Sequence, residues 1–121
     1  MAKILIIDDE SQVLAMLRQM LEREGFEVVD APDGKEGIKL YRENPADLII
    51  TDIIMPEKGG LETIRELKSD YPDVKIIAIS GGRRVEPGEY LLLAERFGAI
   101  KTFAKPVQRE ELLNAVREFL K

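Results

Sequence analysis

Lys3-Ile4-Leu5-Ile6-Ile7-Asp8-Asp9 opens the chain with an apolar run that has no polar alternation and stops at two acids. An unbroken run of that length reads as a strand buried on both faces, as in the middle of a parallel sheet. The next stretch has helical spacing: Ser11 is placed to cap a helix that carries Val13, Leu14, Leu17, Met20 and Leu21, and Gly25 stops it. Working outward from this unit, the same pattern returns four times. Phe26 to Ala31 reads as a second strand, Pro32-Asp33-Gly34 as a turn, and Ile38, Leu40 and Tyr41 as a short helix ending before Asn44-Pro45. Asp47 to Thr51 is the third strand and delivers Asp52 at its end. A helix on Leu61, Ile64, Leu67 and Lys68 then closes at Tyr71-Pro72. Lys75 to Ile79 is the fourth strand, with Ser80 at its end. The Gly81-Gly82-Arg83-Arg84 loop leads to a helix from Pro87 to Phe97 that Gly98 caps. Ile100 to Ala104 is the fifth strand, terminated by Lys105-Pro106, and a last helix carries Leu112, Leu113, Val116, Phe119 and Leu120. Strands alternating with helices predict a doubly wound, five-stranded, mostly parallel α/β sheet with right-handed crossovers.

With 121 residues, 45% of them hydrophobic, the chain is expected to fold as a single domain over residues 1–121. It has neither cysteine nor histidine, which excludes disulfides, thiolate or imidazole metal sites and every nucleophile that needs a histidine base. Chemistry is left to carboxylates, lysine and hydroxyls. The net charge of −5 argues against direct binding to nucleic acid. The first apolar run is too short for a signal peptide and no segment reaches the length of a membrane span, so a cytoplasmic location without membrane insertion is expected.

In such a sheet, ligands bind beyond the carboxyl ends of the strands. Asp8-Asp9, Asp52, Ser80 and Lys105 all fall on that edge. Three carboxylates brought together raise one another's pKa, and a hard divalent cation with oxygen ligands, Mg²⁺ in particular, relieves them. Taken singly, each residue also has an ordinary use: Asp8-Asp9 as solvated loop acids, Ser80 as a turn residue, Lys105 as an ion-pair partner of Asp52. A lysine, a hydroxyl and a metal around one carboxylate also describe a phosphoryl site, in which each group meets an oxygen of the transferred phosphate.

In this order and spacing the residues resemble the receiver domain of two-component response regulators, along the whole chain. The resemblance rests on Asp8-Asp9, on Asp52-Ile53-Ile54-Met55-Pro56, on Ser80-Gly81 and on Lys105-Pro106. It implies the flavodoxin-like fold with strand order 2-1-3-4-5. It implies that Asp52 takes a phosphoryl group from a phosphohistidine of a sensor histidine kinase or phosphotransfer protein. Mg²⁺, with Mn²⁺ as an alternative, would be held by Asp9, Asp52 and the backbone carbonyl of Ile54, with Asp8 acting mainly through water. Ser80 and Lys105 would contact the phosphoryl group, with a cis Lys105-Pro106 bond. Catalysis would be limited to the chain's own phosphorylation and dephosphorylation. The signal would leave by a face of helix four, strand five and helix five, toward a downstream protein or output domain. A receiver-like interaction module that is never phosphorylated is the alternative, and such a module would need none of these five side chains.

Thr102 departs from the pattern, since the family places a Tyr or Phe three residues before the strand-five lysine. Phe103 lies on the opposite face of the strand and is expected in the core. Leu91-Leu92-Leu93 covers more of its helix than a buried stripe needs, so at least one of these leucines should be exposed, as a stray surface leucine or as part of the output face. Met16 and Met20, one helical turn apart, suit either core packing or kinase docking.

Overall fold

The computed structural model describes residues 2–53, 59–80 and 87–120, of which 87–91 by backbone alone. Strands β1 (Lys3–Ile7), β2 (Glu27–Ala31), β3 (Leu48–Asp52), β4 (Ile76–Ser80) and β5 (Lys101–Ala104) alternate with helices α1 (Ser11–Arg23), α2 (Gly34–Glu43), α3 (Gly60–Asp70), α4 (Pro87–Phe97) and α5 (Arg109–Phe119). They form one parallel sheet in the order β2-β1-β3-β4-β5. The expected flavodoxin-like arrangement is therefore the observed one.

The unbroken apolar strands pack on both faces because side chains alternate across the sheet. Ile4, Ile6, Ile50, Ile77 and Ile79 meet Leu17, Leu21, Leu112 and Val116 of α1 and α5. Leu5, Ile7, Ile49, Ile76 and Ala78 meet Ile38, Ile64, Leu67 and Ala94 of α2, α3 and α4. Each fully buried isoleucine or leucine stabilises the fold by about 1.5–3 kcal/mol relative to exposure. The helix ends follow local rules. Asp33 accepts the amide of Glu36 and caps α2, while Gly25 and Gly98, with φ of 91° and 119°, let the chain leave α1 and α4 by the left-handed region.

Ser11 is not the cap expected for α1. The N-cap is Glu10, whose side chain makes no capping hydrogen bond, and Ser11 is the first helical residue. The cause lies upstream: Asp8 accepts the Glu10 amide at 2.9 Å, and Glu10's carbonyl already accepts the amides of Val13 and Leu14. An Asp side chain that binds the backbone two residues on turns the chain one residue early. Arg18 of α1 reaches the other way, to Asp30 at 2.7 Å and to the carbonyl of Val28 at 3.0 Å on the edge strand β2.

Candidate phosphoacceptor site

Parallel pairing fixes which residues share the carboxyl edge. Ile7 pairs with Thr51, Asp52 with Ile79 and Ser80 with Ala104, so Asp8, Asp52, Ser80 and Lys105 are brought to one end of the sheet. Asp52 is itself the last residue of β3 and is 5% exposed. Its Oδ1 accepts the Ile53 amide at 2.9 Å, and its carbonyl accepts the Thr51 hydroxyl at 2.9 Å. Helix α3 begins directly on it. The Gly60 amide donates to the Ile53 carbonyl at 2.7 Å, and a Cβ on Gly60 would stand 2.1 Å from the Asp52 carbonyl oxygen. Only glycine allows that approach.

One carboxylate oxygen each of Asp8, Asp9 and Asp52 lies within 4.8 Å of the others. Lys105 faces this cluster from the end of β5, its backbone amide held by the Ser80 carbonyl and its bond to Pro106 cis. Its Nζ lies 3.1 Å from Asp8, 3.2 Å from Glu10 and 3.6 Å from Asp52. Burial, reinforced by the charge of Asp8, pushes the Asp52 carboxyl up to about 7, although Lys105 and the Ile53 amide oppose the shift. Burial also raises Asp8, against the pull of the Glu10 amide and Lys105. For Lys105, burial favours the neutral amine, yet the charges of Asp52 and Asp8 with the bonds to Asp8 and Glu10 outweigh it and raise the pKa above that of an ordinary lysine. Crowded hard oxygens, one of them driven toward protonation by burial and by a neighbouring carboxylate, are a donor set that fits Mg²⁺.

Asp8, Asp9, Asp52 and Lys105 thus stand together as the sequence suggested. Ser80 is fully buried one residue beyond the partner of Asp52, and its hydroxyl has no hydrogen-bond partner among the described residues. The expectations for the Ile54 carbonyl, the Gly81-Gly82-Arg83-Arg84 loop and the Leu91 side chain lie outside the described residues. Leu92 and Leu93 are both exposed. Phe103 packs against the α1 and α5 side of the core, and Thr102 hydrogen-bonds Glu95 of α4 at 3.3 Å. Met20 is buried while Met16 is half exposed. Glu10 is the residue that sequence reasoning missed. The signal was a third acid after Asp8-Asp9, beside a helix start where an acid is ordinary.

Comparison with known proteins agrees with this fold. The response regulator receiver domain model matches residues 4–117. The chain is 32% identical over 119 residues to the chemotaxis protein CheY of Bacillus subtilis, covering 98% of this chain and 97% of that one. It is 31% identical over 121 residues to the transcriptional regulatory protein CpxR of Escherichia coli, covering all of this chain and 50% of that protein. A crystal structure of a response regulator receiver domain protein from Clostridium thermocellum superposes with a TM-score of 0.90 at 34% identity, over 99% of this chain and 94% of that one. The chain belongs to the response regulator receiver domain family. It spans about half the length of CpxR and nearly the whole of CheY.

Proposed function

We propose that this receiver is a phosphoacceptor switch in which Asp52 takes a phosphoryl group from a phosphohistidine of a sensor kinase or phosphotransfer protein. The observation that carries the reading is the crowding of Asp52 with Asp8 and Asp9 opposite Lys105. In the transfer, an Asp52 oxygen forms the bond to phosphorus as the P–N bond breaks, and the imidazole leaves with the bonding pair and takes a proton. Mg²⁺, or Mn²⁺ in its place, would supply positive charge to the phosphoryl oxygens when bound. Asp9 and Asp52 would hold it, with Asp8 acting through water and, as the family resemblance implies, the Ile54 carbonyl as a further ligand. Lys105 neutralises one phosphoryl oxygen, and the Ser80 hydroxyl, buried with no hydrogen-bond partner among the described residues, donates to another, which favours the phosphorylated form by satisfying a buried group.

Docking of the donor is assigned to α1 and the start of α5, where half-exposed Met16 borders a groove lined by Leu17, Met20, Val107 and Leu112. The output face is assigned to α4, β5 and α5, with Leu92 and Leu93 exposed on it, toward a downstream protein or output domain in the cytoplasm. Among the described residues, no helix is long and apolar enough to cross a membrane.

Incubation with Mg²⁺ and acetyl phosphate tests the assignment. One base-labile phosphoryl group per chain is expected on the wild type and none on Asp52→Asn. Stoichiometric label remaining on Asp52→Asn would move the acceptor elsewhere, and an unlabelled wild type would favour the interaction-module alternative.

A further inference from the structure

Glu10 is built into the site in a way its position in sequence does not require. As N-cap of α1, it makes no side-chain capping bond, and its carboxylate instead crosses to Lys105 at 3.2 Å. Its backbone is fixed at both ends, the amide by Asp8 and the carbonyl by the first turn of α1. The three donors of the lysine ammonium are therefore faced by three carboxylates. Asp8 and Asp52 are buried and each is anchored by a backbone amide, whereas the Glu10 side chain is 48% exposed and pairs, among the described residues, with Lys105 alone. Glu10 and exposed Asp9 thus form the outer, negative rim of the site.

We propose that Glu10 is a charge gate: its carboxylate occupies Lys105 and repels free anionic phosphodonors, so that small phosphorylated metabolites label Asp52 slowly. The inference rests on Asp52 being the phosphoacceptor. A phosphoryl group delivered on a docked protein meets the same charge, but binding across the protein surface offsets it. A free donor such as acetyl phosphate arrives as a dianion with no such contribution. Transfer from it needs no proton: the Oδ–P bond forms, the P–O bond to the acetyl group breaks, and acetate leaves with the bonding pair. The only barrier that Glu10 adds is electrostatic, and it acts on the approach of the donor and on the release of Lys105 to meet it.

Labelling rates with acetyl phosphate and Mg²⁺ test this. Glu10→Gln keeps the shape and hydrogen-bonding capacity and removes the charge. It should label about three- to tenfold faster than wild type at low ionic strength, the range expected for one charge acting on a dianion across a few ångströms of partly screened solvent. The gain should shrink toward unity near about 1 M salt, where the Debye length is about 3 Å. Phosphoramidate, which carries less negative charge at neutral pH, should show a smaller gain. In metal-free protein, the NMR signals of the Lys105 ammonium and its neighbouring methylene should move in Glu10→Gln. An unchanged or slower rate in Glu10→Gln, or a gain that persists undiminished near about 1 M salt, overturns the gate while leaving Asp52 as acceptor. No label on wild type or Glu10→Gln overturns both.

Discussion

The Asp52 carboxyl, raised to about 7 by burial and by Asp8, gives the metal-free protein an unusual pH response. A carboxylate paired in the native state usually has a lowered pKa and contributes stability as pH rises. Here the sign is opposite. Between the ordinary value of 3.8 and about 7, the native state keeps a proton on Asp52 that the unfolded chain has released, so stability falls as pH rises through that window and levels off above it. Asp8, also raised, adds to the same trend. In the presence of EDTA, the melting temperature should fall from about pH 4 to about pH 7, a loss on the order of a few kcal/mol. Asp52→Asn should remove most of that slope and be more stable than wild type above the window. Saturating Mg²⁺ should flatten the wild-type curve, because a bound cation restores the charge balance. Equal slopes for wild type and Asp52→Asn in EDTA would show that Asp52 is not the group responsible.

Helix α3 and strand β3 meet at Gly60, and there an added methyl has nowhere to go: it would lie 2.1 Å from the Asp52 carbonyl oxygen and 2.5 Å from the Ile53 Cα. Both are backbone atoms, so relief requires the helix start or the end of β3 to move. Gly37 of α2 is nearly as crowded by distance, but its obstacle is the tip of the Ile7 side chain, 2.4 Å away, which can change rotamer. Gly60→Ala should therefore cost about 2–4 kcal/mol in urea denaturation and slow labelling of Asp52, while Gly37→Ala should cost about 1 kcal/mol or less and label normally. Similar losses from the two would mean that β3 and α3 separate more freely than their contact suggests. The elements themselves were legible in sequence because apolar runs and helical spacing alternate without interruption. Their edges were less so. Sequence reading ended β3 at Thr51 and β4 at Ile79, one residue short in each case, because the backbone pairing runs on through Asp52 and Ser80. Polar side chains can end a strand without leaving it when they face a site rather than the core. The link from Glu10 to Lys105 was not legible, since a contact spanning 95 positions leaves no local pattern.

Across the whole molecule, one sheet divides the core into two layers. Leu112 of α5 is fully buried on one face and Ile64 of α3 on the other. Truncation of either to alanine should cost about 2–5 kcal/mol. Since the two lie in separate layers, the double variant should lose the sum to within about 0.5 kcal/mol in a single cooperative transition. A second transition in the denaturation curve would show that the layers unfold separately. The sheet also has two open margins, and each carries a deterrent. On β2, the Arg18 guanidinium occupies the Val28 carbonyl, which another chain would otherwise use as an acceptor. On β5, the strand is only four residues long, begins with exposed Lys101 and is followed by Lys105-Pro106, so an incoming strand would meet charge and then a residue with no amide to offer. Parallel sheets are slow to assemble and expose such margins while they do. A chain that guards both can accumulate in a crowded cell without its copies zipping together edge to edge.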